Sequence, residues 1–212
     1  MTKYARRTAL VAGEATGIGL AIAKRLVEGG ASVLLTARTE GERAHAVAEL
    51  GSAARVVTPS AVKAALTGNA TSAGDATSAG SATSAGGATR AGEDPLTGNA
   101  STGVELLFSD TVATARPLLP HLRDGGAIVL TAATPCPDAV TALAVELAAR
   151  GIRVNAVAPG CIEAPGSGAV PLPPLGRLGA AEEVARAALF LATEATFTTG
   201  ARLPVDGGLG PP

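Results

Sequence analysis

Short apolar runs alternate along the chain with amphipathic stretches, and glycines punctuate the joints. Thr8 to Ala12 (TALVA) reads as a buried strand, broken by Gly13, Gly17 and Gly19. Ile18, Ile22 and Leu26 then recur at every fourth position up to Gly29-Gly30, which predicts a helix over Ile18 to Glu28. Ala31 to Ala37 is a second strand, Gly41 to Leu50 a second helix ending at Gly51, and Arg55 to Thr58 a third strand. This alternation is the mark of a parallel sheet with right-handed crossovers. Regular structure resumes with a strand at Val104 to Phe108, a helix through Thr111 to Arg123, and a strand at Ala127 to Thr131 entered through Gly125-Gly126. A helix at Ala139 to Ala149 follows, then a strand at Ile152 to Val157. Past a Pro/Gly-rich loop, Gly160 to Pro174, come a helix at Ala180 to Thr193 and a strand at Ala201 to Val205. The pattern predicts an α/β fold with one doubly wound parallel sheet of about seven strands.

The middle differs in kind. Asn69 to Gly92 carries the hexads NATSAG, DATSAG, SATSAG and GATRAG, and LTGNA occurs at Leu66 to Ala70 and again at Leu96 to Ala100. A β-helix coil needs a bulky apolar residue in each turn, and alanine is the only apolar side chain in these hexads. With so little to bury, ordering entropy prevails, so residues 67–100 are expected to be a flexible low-complexity loop inside a single domain spanning residues 1–212.

Composition narrows the function classes. Of 212 residues 47% are hydrophobic but only 2% aromatic, with no Trp and one Tyr, so the core must be built of Val, Leu, Ile and Ala. A formal net charge of -1, with no basic stripe interleaved with aromatics, argues against nucleic-acid or anionic-membrane partners. Cys136, Cys161, His45 and His121 match no metal-ligand spacing, so no metal is expected and both thiols read as reduced, in a cytoplasmic protein. The polar start, Met1 to Arg7, lacks the pattern of a signal peptide, and no apolar stretch approaches the ~18 residues of a membrane span.

Gly13, Gly17 and Gly19 sit between a predicted strand and a predicted helix, where glycines permit a tight turn, close approach of backbone N–H groups to a pyrophosphate, and close helix packing. The spacing resembles the T-G-x-x-x-G-I-G of the short-chain dehydrogenase/reductase family, with Ala12 in place of the Thr. RGIRVNAVAPG (Arg150 to Gly160), GRLGAAEEVARAALFLA (Gly176 to Ala192), Thr199-Gly200 and VDGG (Val205 to Gly208) resemble the later strands and helix of that family. The likeness covers roughly residues 6–60 and 117–208. It implies a Rossmann-like domain binding a dinucleotide through Gly13, Thr16, Gly17, Ile18, Gly19, Arg38, Pro159, Gly160 and Ile162. Arg38 follows the second strand and Ala37 stands where the family's acidic residue would be, so NADP(H) is expected in preference to NAD(H).

The resemblance also implies a small ketone or alcohol substrate and a Ser with a Y-x-x-x-K pair to reduce or oxidise it. Here the single Tyr is Tyr4 and the lysines are Lys3, Lys24 and Lys63, so no such pair can be placed. Ala133 stands nearest the Ser, and Pro135-Cys136-Pro137-Asp138 leads straight into the late part of the helix that carries Tyr and Lys in relatives. Further departures fall at Ser109 to Val112, Ser60 and Ala164, where the family has its Asn-Asn-Ala-Gly, an adenine-side acid and a carboxamide-binding Thr. The substitutes on offer are Thr134 and Asp138, with Thr131 and Cys136 beside them, but Asp138 reads more naturally as a helix N-cap and His121 as a helix-end residue. The expectation is an NADP(H)-binding protein with oxidoreductase activity absent or residual. The alternative is an assembly or regulatory subunit of a homologous reductase. Relatives associate through the elements matching Ala139 to Ala149 and Ala201 to Val205, implying a homo-oligomer, dimer or tetramer, or a hetero-oligomer with a homologue.

Overall fold

A computed structural model of the chain describes residues 3–13, 15–67, 103–132, 136–164 and 171–210. The expected flexible loop lies almost wholly outside them. Seven parallel strands form one sheet in the order β3-β2-β1-β4-β5-β6-β7. The strands are β1 (Thr8–Ala12), β2 (Ser32–Thr36), β3 (Ala54–Val57), β4 (Val104–Ser109), β5 (Leu122–Leu130), β6 (Arg153–Pro159) and β7 (Arg202–Val205). The order grows one way from β1 to β3 and the other from β4 to β7. The switch point therefore lies between β1 and β4, where a crevice opens at the carboxyl ends of the strands.

Helices cover both faces. Along β1, Ala9 and Val11 enter one core with the apolar sides of α1 (Gly17–Glu28), α2 (Glu40–Leu50) and α6 (Ala181–Thr193). Leu10 and Ala12 enter the other, with α4 (Val112–Ala115) and α5 (Pro137–Leu147) and the two buried residues of α3 (Val62–Leu66). This is the period-two alternation of a strand buried on both sides, which is why these strands read as unbroken apolar runs. Ile22 and Leu26 are fully buried, each worth about 2 kcal/mol of transfer free energy. They fix α1 against the sheet and so fix where its first turn points.

The structure corrects three local expectations. The helix expected from Thr111 to Arg123 is α4 alone, followed by a 3-10 turn over Arg116–His121 that carries Pro117 and Pro120. Proline has no N–H to offer an α ladder and crowds the preceding turn. His121 closes that turn, as a helix-end residue should. The strand after it begins five residues early, at Leu122 rather than Ala127, through an irregularity in its pairing with β4 between Val104 and Leu106. Gly126 sits there because a Cβ would lie 2.8 Å from the carbonyl oxygen of Glu105. Third, Asp138 is not the N-cap of α5. Cys136 holds that position, Pro137 opens the helix with a φ already suited to it, and Asp138 falls inside the first turn.

Candidate functional site

At the switch point lies a cleft of about 560 Å³. One wall is the β1–α1 junction: Gly13, Thr16, Gly17, Ile18 and Gly19 all line it, with Arg38 at its rim. Gly13 is held by Thr36, a buried residue at the end of β2 whose hydroxyl accepts from the Gly13 amide at 2.8 Å and donates to its carbonyl at 3.1 Å. These two hydrogen bonds, between the turn after β1 and the end of β2, lock the turn. Gly17 then starts α1 at φ 47, in the left-handed region, and a Cβ there would meet nothing within 4 Å. The face at Gly17 is open to the cleft. Thr16, the N-cap, makes no side-chain cap hydrogen bond, and the first intrahelical bond is Leu20 N–H to Thr16. The amides of the first turn, with the positive end of a 12-residue helix behind them, therefore point where an anionic group can take them.

The opposite wall comes from β5 and the segment after β6: Thr131, Ala132, Ile162, Glu163 and Ala164. Thr131 is tied back to β4, its amide and hydroxyl both donating to the Ser109 carbonyl at 2.8 and 3.3 Å. Ile162 pairs with Gly179, and Glu163 N–H donates to the Gly179 carbonyl at 2.8 Å. Pro159 ends β6, and Gly160 lies against the turn after β7, where a Cβ would fall 2.6 Å from the Asp206 Cα. Gly160 thus has a packing reason of its own.

A second cavity, about 550 Å³, opens beyond the ends of β2 and β3, lined by Thr36, Pro59, Ser60, Lys63 and Leu118 among others. It shares Ala12, Gly13 and Arg38 with the first. Arg38 is half exposed, its Nη2 2.7 Å from Oδ2 of Asp110, and its amide donates to Glu42 at 2.9 Å. Asp110 follows β4, and its other oxygen accepts from the Thr111 amide at 2.8 Å. Sequence reading placed Ser109 to Val112 at a departure from the family pattern but did not single out Asp110 as a partner of Arg38. The two residues stand 72 positions apart, and the pairing of both β2 and β4 with β1 brings them together.

Tyr4, Lys3, Lys24, Cys136 and Asp138 do not line the cleft at the switch point. Tyr4 is buried against Gly29, its amide donating to the Gly29 carbonyl at 2.7 Å, at the amino-terminal edge of the sheet. Lys3 pairs with Glu194, and Lys24 with Glu49. Asp138 and Cys136 are exposed at the start of α5, and residues 131–136 are all that join β5 to that helix. Thr134, with Ala133 and Pro135, lies outside the described residues. Cys136 and Cys161 are not disulfide-bonded, and among the described residues no cluster of His, Cys, Asp and Glu could hold a metal ion. No helix among them is long and apolar enough to cross a membrane.

A dinucleotide fits these residues on physical grounds. The Gly17 opening and the first-turn amides suit a diphosphate, and the two adjoining cavities suit its two ends. Comparison with known proteins agrees. Residues 7–77 match the family model described as short chain dehydrogenase, and residues 136–210 the one described as enoyl-(acyl carrier protein) reductase. L-fucose dehydrogenase of Bos taurus is 30% identical over 98% of this chain and 90% of its own length. Cis-4-hydroxycyclohexanecarboxylate dehydrogenase of Sinomonas cyclohexanicum is 33% identical over 97% of each chain. A solved short-chain dehydrogenase/reductase from Serratia marcescens, at 19% identity, shares the fold with a TM-score of 0.72 over 97% of this chain. On these matches, and on the sheet order that carries them, the chain belongs to the short-chain dehydrogenase/reductase family of NAD(P)-dependent oxidoreductases.

Proposed function

We propose that residues 1–212 form one dinucleotide-binding domain that holds NADP(H) in preference to NAD(H), with turnover of a ketone or alcohol absent or residual. The reading is carried by the β1–α1 junction, where Thr36 pins Gly13 and leaves the first-turn amides of α1 facing the cleft. Gly13, Thr16, Gly17, Ile18 and Gly19 would grip the diphosphate, and Arg38 would meet a 2′-phosphate at the mouth of the second cavity. Ile162, with Pro159 and Gly160 behind it, would bound the nicotinamide end.

A bound nicotinamide supplies or accepts a hydride. A proton must also be delivered to the substrate oxygen, or taken from it, by a group within hydrogen-bond reach. Tyr4 is buried against Gly29 ahead of β1, at the end of the strand opposite the cleft, and Lys3 and Lys24 are held in surface ion pairs. Thr131 offers a hydroxyl at the cleft wall, but it is tied to Ser109, and a hydroxyl of ordinary acidity is a poor proton donor. Thr134 and Asp138 remain as weak substitutes, Asp138 exposed to water at the head of α5. The relatives' names point to sugar and cyclic-alcohol substrates, which sets the panel to test.

Titration of the purified protein with NADPH, followed by the coenzyme's own fluorescence, tests the reading, since no Trp is present to report. Saturable binding without substrate-dependent loss of NADPH is expected. No response at millimolar excess overturns the binding; turnover that survives purification overturns the inactivity.

A second reading, a non-catalytic assembly or regulatory subunit of a homologous reductase, is favoured by an exposed apolar side chain on one of the elements relatives use to associate. Val145 on α5 is 72% exposed, and Phe197, in the connection between α6 and β7, is fully exposed. Co-purification with a homologous enzyme, without coenzyme binding, would favour it.

A further inference from the structure

An ion pair stands where the two cavities adjoin. Arg38 reaches from the end of β2 and Asp110 from the end of β4, and they meet at 2.7 Å beside Gly13, the Asp110 Cβ lying 3.7 Å from where a Gly13 Cβ would stand. Arg38 lines both cavities. A dinucleotide running from the first turn of α1 into the second cavity passes this pair.

We propose that Asp110 is a specificity-determining residue: its carboxylate occupies the place of a 2′-phosphate on Arg38 and competes with it. This rests on the proposed binding of a dinucleotide at the β1–α1 junction. A guanidinium offers planar, forked donors that suit a carboxylate or a phosphate equally well in shape, so a carboxylate already on Nη2 competes with a phosphate for that donor. A ribose with a bare 2′-hydroxyl does not need the guanidinium and leaves the pair intact. A 2′-phosphate must draw Arg38 away from Asp110 and then lie close to the released carboxylate, and both effects oppose it. Asp110 therefore lowers the advantage that Arg38 alone would give NADP(H). Lys63, on the wall of the same cavity, adds a second cation facing a 2′-phosphate.

Asp110→Asn is a clean probe. The amide keeps an oxygen to accept from Thr111 N–H, as Oδ1 does now, and removes only the charge and the hold on Arg38. Calorimetric titration with NADPH, NADH and adenosine 2′,5′-bisphosphate would compare wild type, Asp110→Asn, Arg38→Met and the double variant, with thermal melts confirming that each is folded. The inference expects Asp110→Asn to tighten NADPH and the bisphosphate about tenfold, or about 1.4 kcal/mol. NADH should stay within about twofold, and the gain should vanish when Arg38 is Met. NADPH binding that is equal in wild type and Asp110→Asn overturns the role of Asp110 and leaves the proposed function standing. An equal gain for NADH and NADPH also overturns it, since the effect would not concern the 2′-phosphate. Failure of every protein to bind any of the three ligands overturns both readings together.

Discussion

Two junctions face each other across the cleft, and they are built differently. At the β1–α1 junction a buried hydroxyl locks a glycine turn, and a long, well-packed helix aims its first amides into the opening. At the β5–α5 junction a short connection leads to a helix whose acidic and thiol groups stand in water. The first turns amides and the positive end of a helix toward the cleft; of the second, Thr131 and Ala132 line the cleft, while Cys136 and Asp138 are exposed. The groups that would hold a dinucleotide under the proposed function and the groups that would move a proton thus come from separate stretches of chain.

The contrast is sharpest under Gly17→Asp. A carboxylate on the first turn of α1 would repel the diphosphate and strain the left-handed backbone at φ 47. Calorimetry should show roughly a 100-fold loss of NADPH affinity, about 2.7 kcal/mol. Retained affinity would mean that the dinucleotide does not use this junction.

Arg38→Asp comes next. Replacing the guanidinium with a carboxylate should reverse the preference, weakening NADPH roughly tenfold or more while NADH changes little. An unchanged ratio of the two affinities would remove Arg38 from the site.

Asp138→Ala probes the opposite junction. Coenzyme affinity should stay within about twofold, and stability should fall by about 0.5 kcal/mol through the loss of a charge near the positive end of α5. A large fall in any residual turnover would instead restore Asp138 as a working acid or base.

The smallest effect is a matter of pH. Glu183 accepts from the Ala180 amide at 2.9 Å and pairs with Arg177 at 2.8 Å, and these partners hold its carboxyl down to about 2 from an ordinary 4.5. A depressed value stabilises the fold above the ordinary carboxylate range, and that contribution is lost as pH falls toward 2. Denaturant unfolding of Glu183→Gln should therefore show a deficit at neutral pH that disappears near pH ~2. A deficit independent of pH would assign the role of Glu183 to packing.

The sheet was legible from sequence because the strand centres are short apolar runs bounded by glycines or polar residues; the polar opening of β5, LRDGG, gave no such signal. The β1–α1 junction was legible for a related reason: its glycines are needed where the backbone must turn. What escaped were features that depend on distant parts of the chain or on fine local competition. The short helix α3, VKAAL, offers too few turns for a periodic signal. The start of α5 turned on whether Pro137 or Asp138 would claim the boundary, and proline's fixed φ decided it. The Arg38–Asp110 pair joins the ends of β2 and β4, which come to flank β1 only when the sheet assembles.

The bridge between Ile162 and Gly179 has a broader meaning. Cys161, Glu163 and Gly179 exchange backbone hydrogen bonds at 2.8 to 2.9 Å, so the chain that leaves β6 is stitched to the chain that enters α6. Leu175 N–H adds a further tie, to the Gly207 carbonyl at 3.0 Å in the turn after β7. A connection pinned at its ends can be lengthened at only a slowly growing entropy of closure, so changes in its length can leave β6 and α6 in their places.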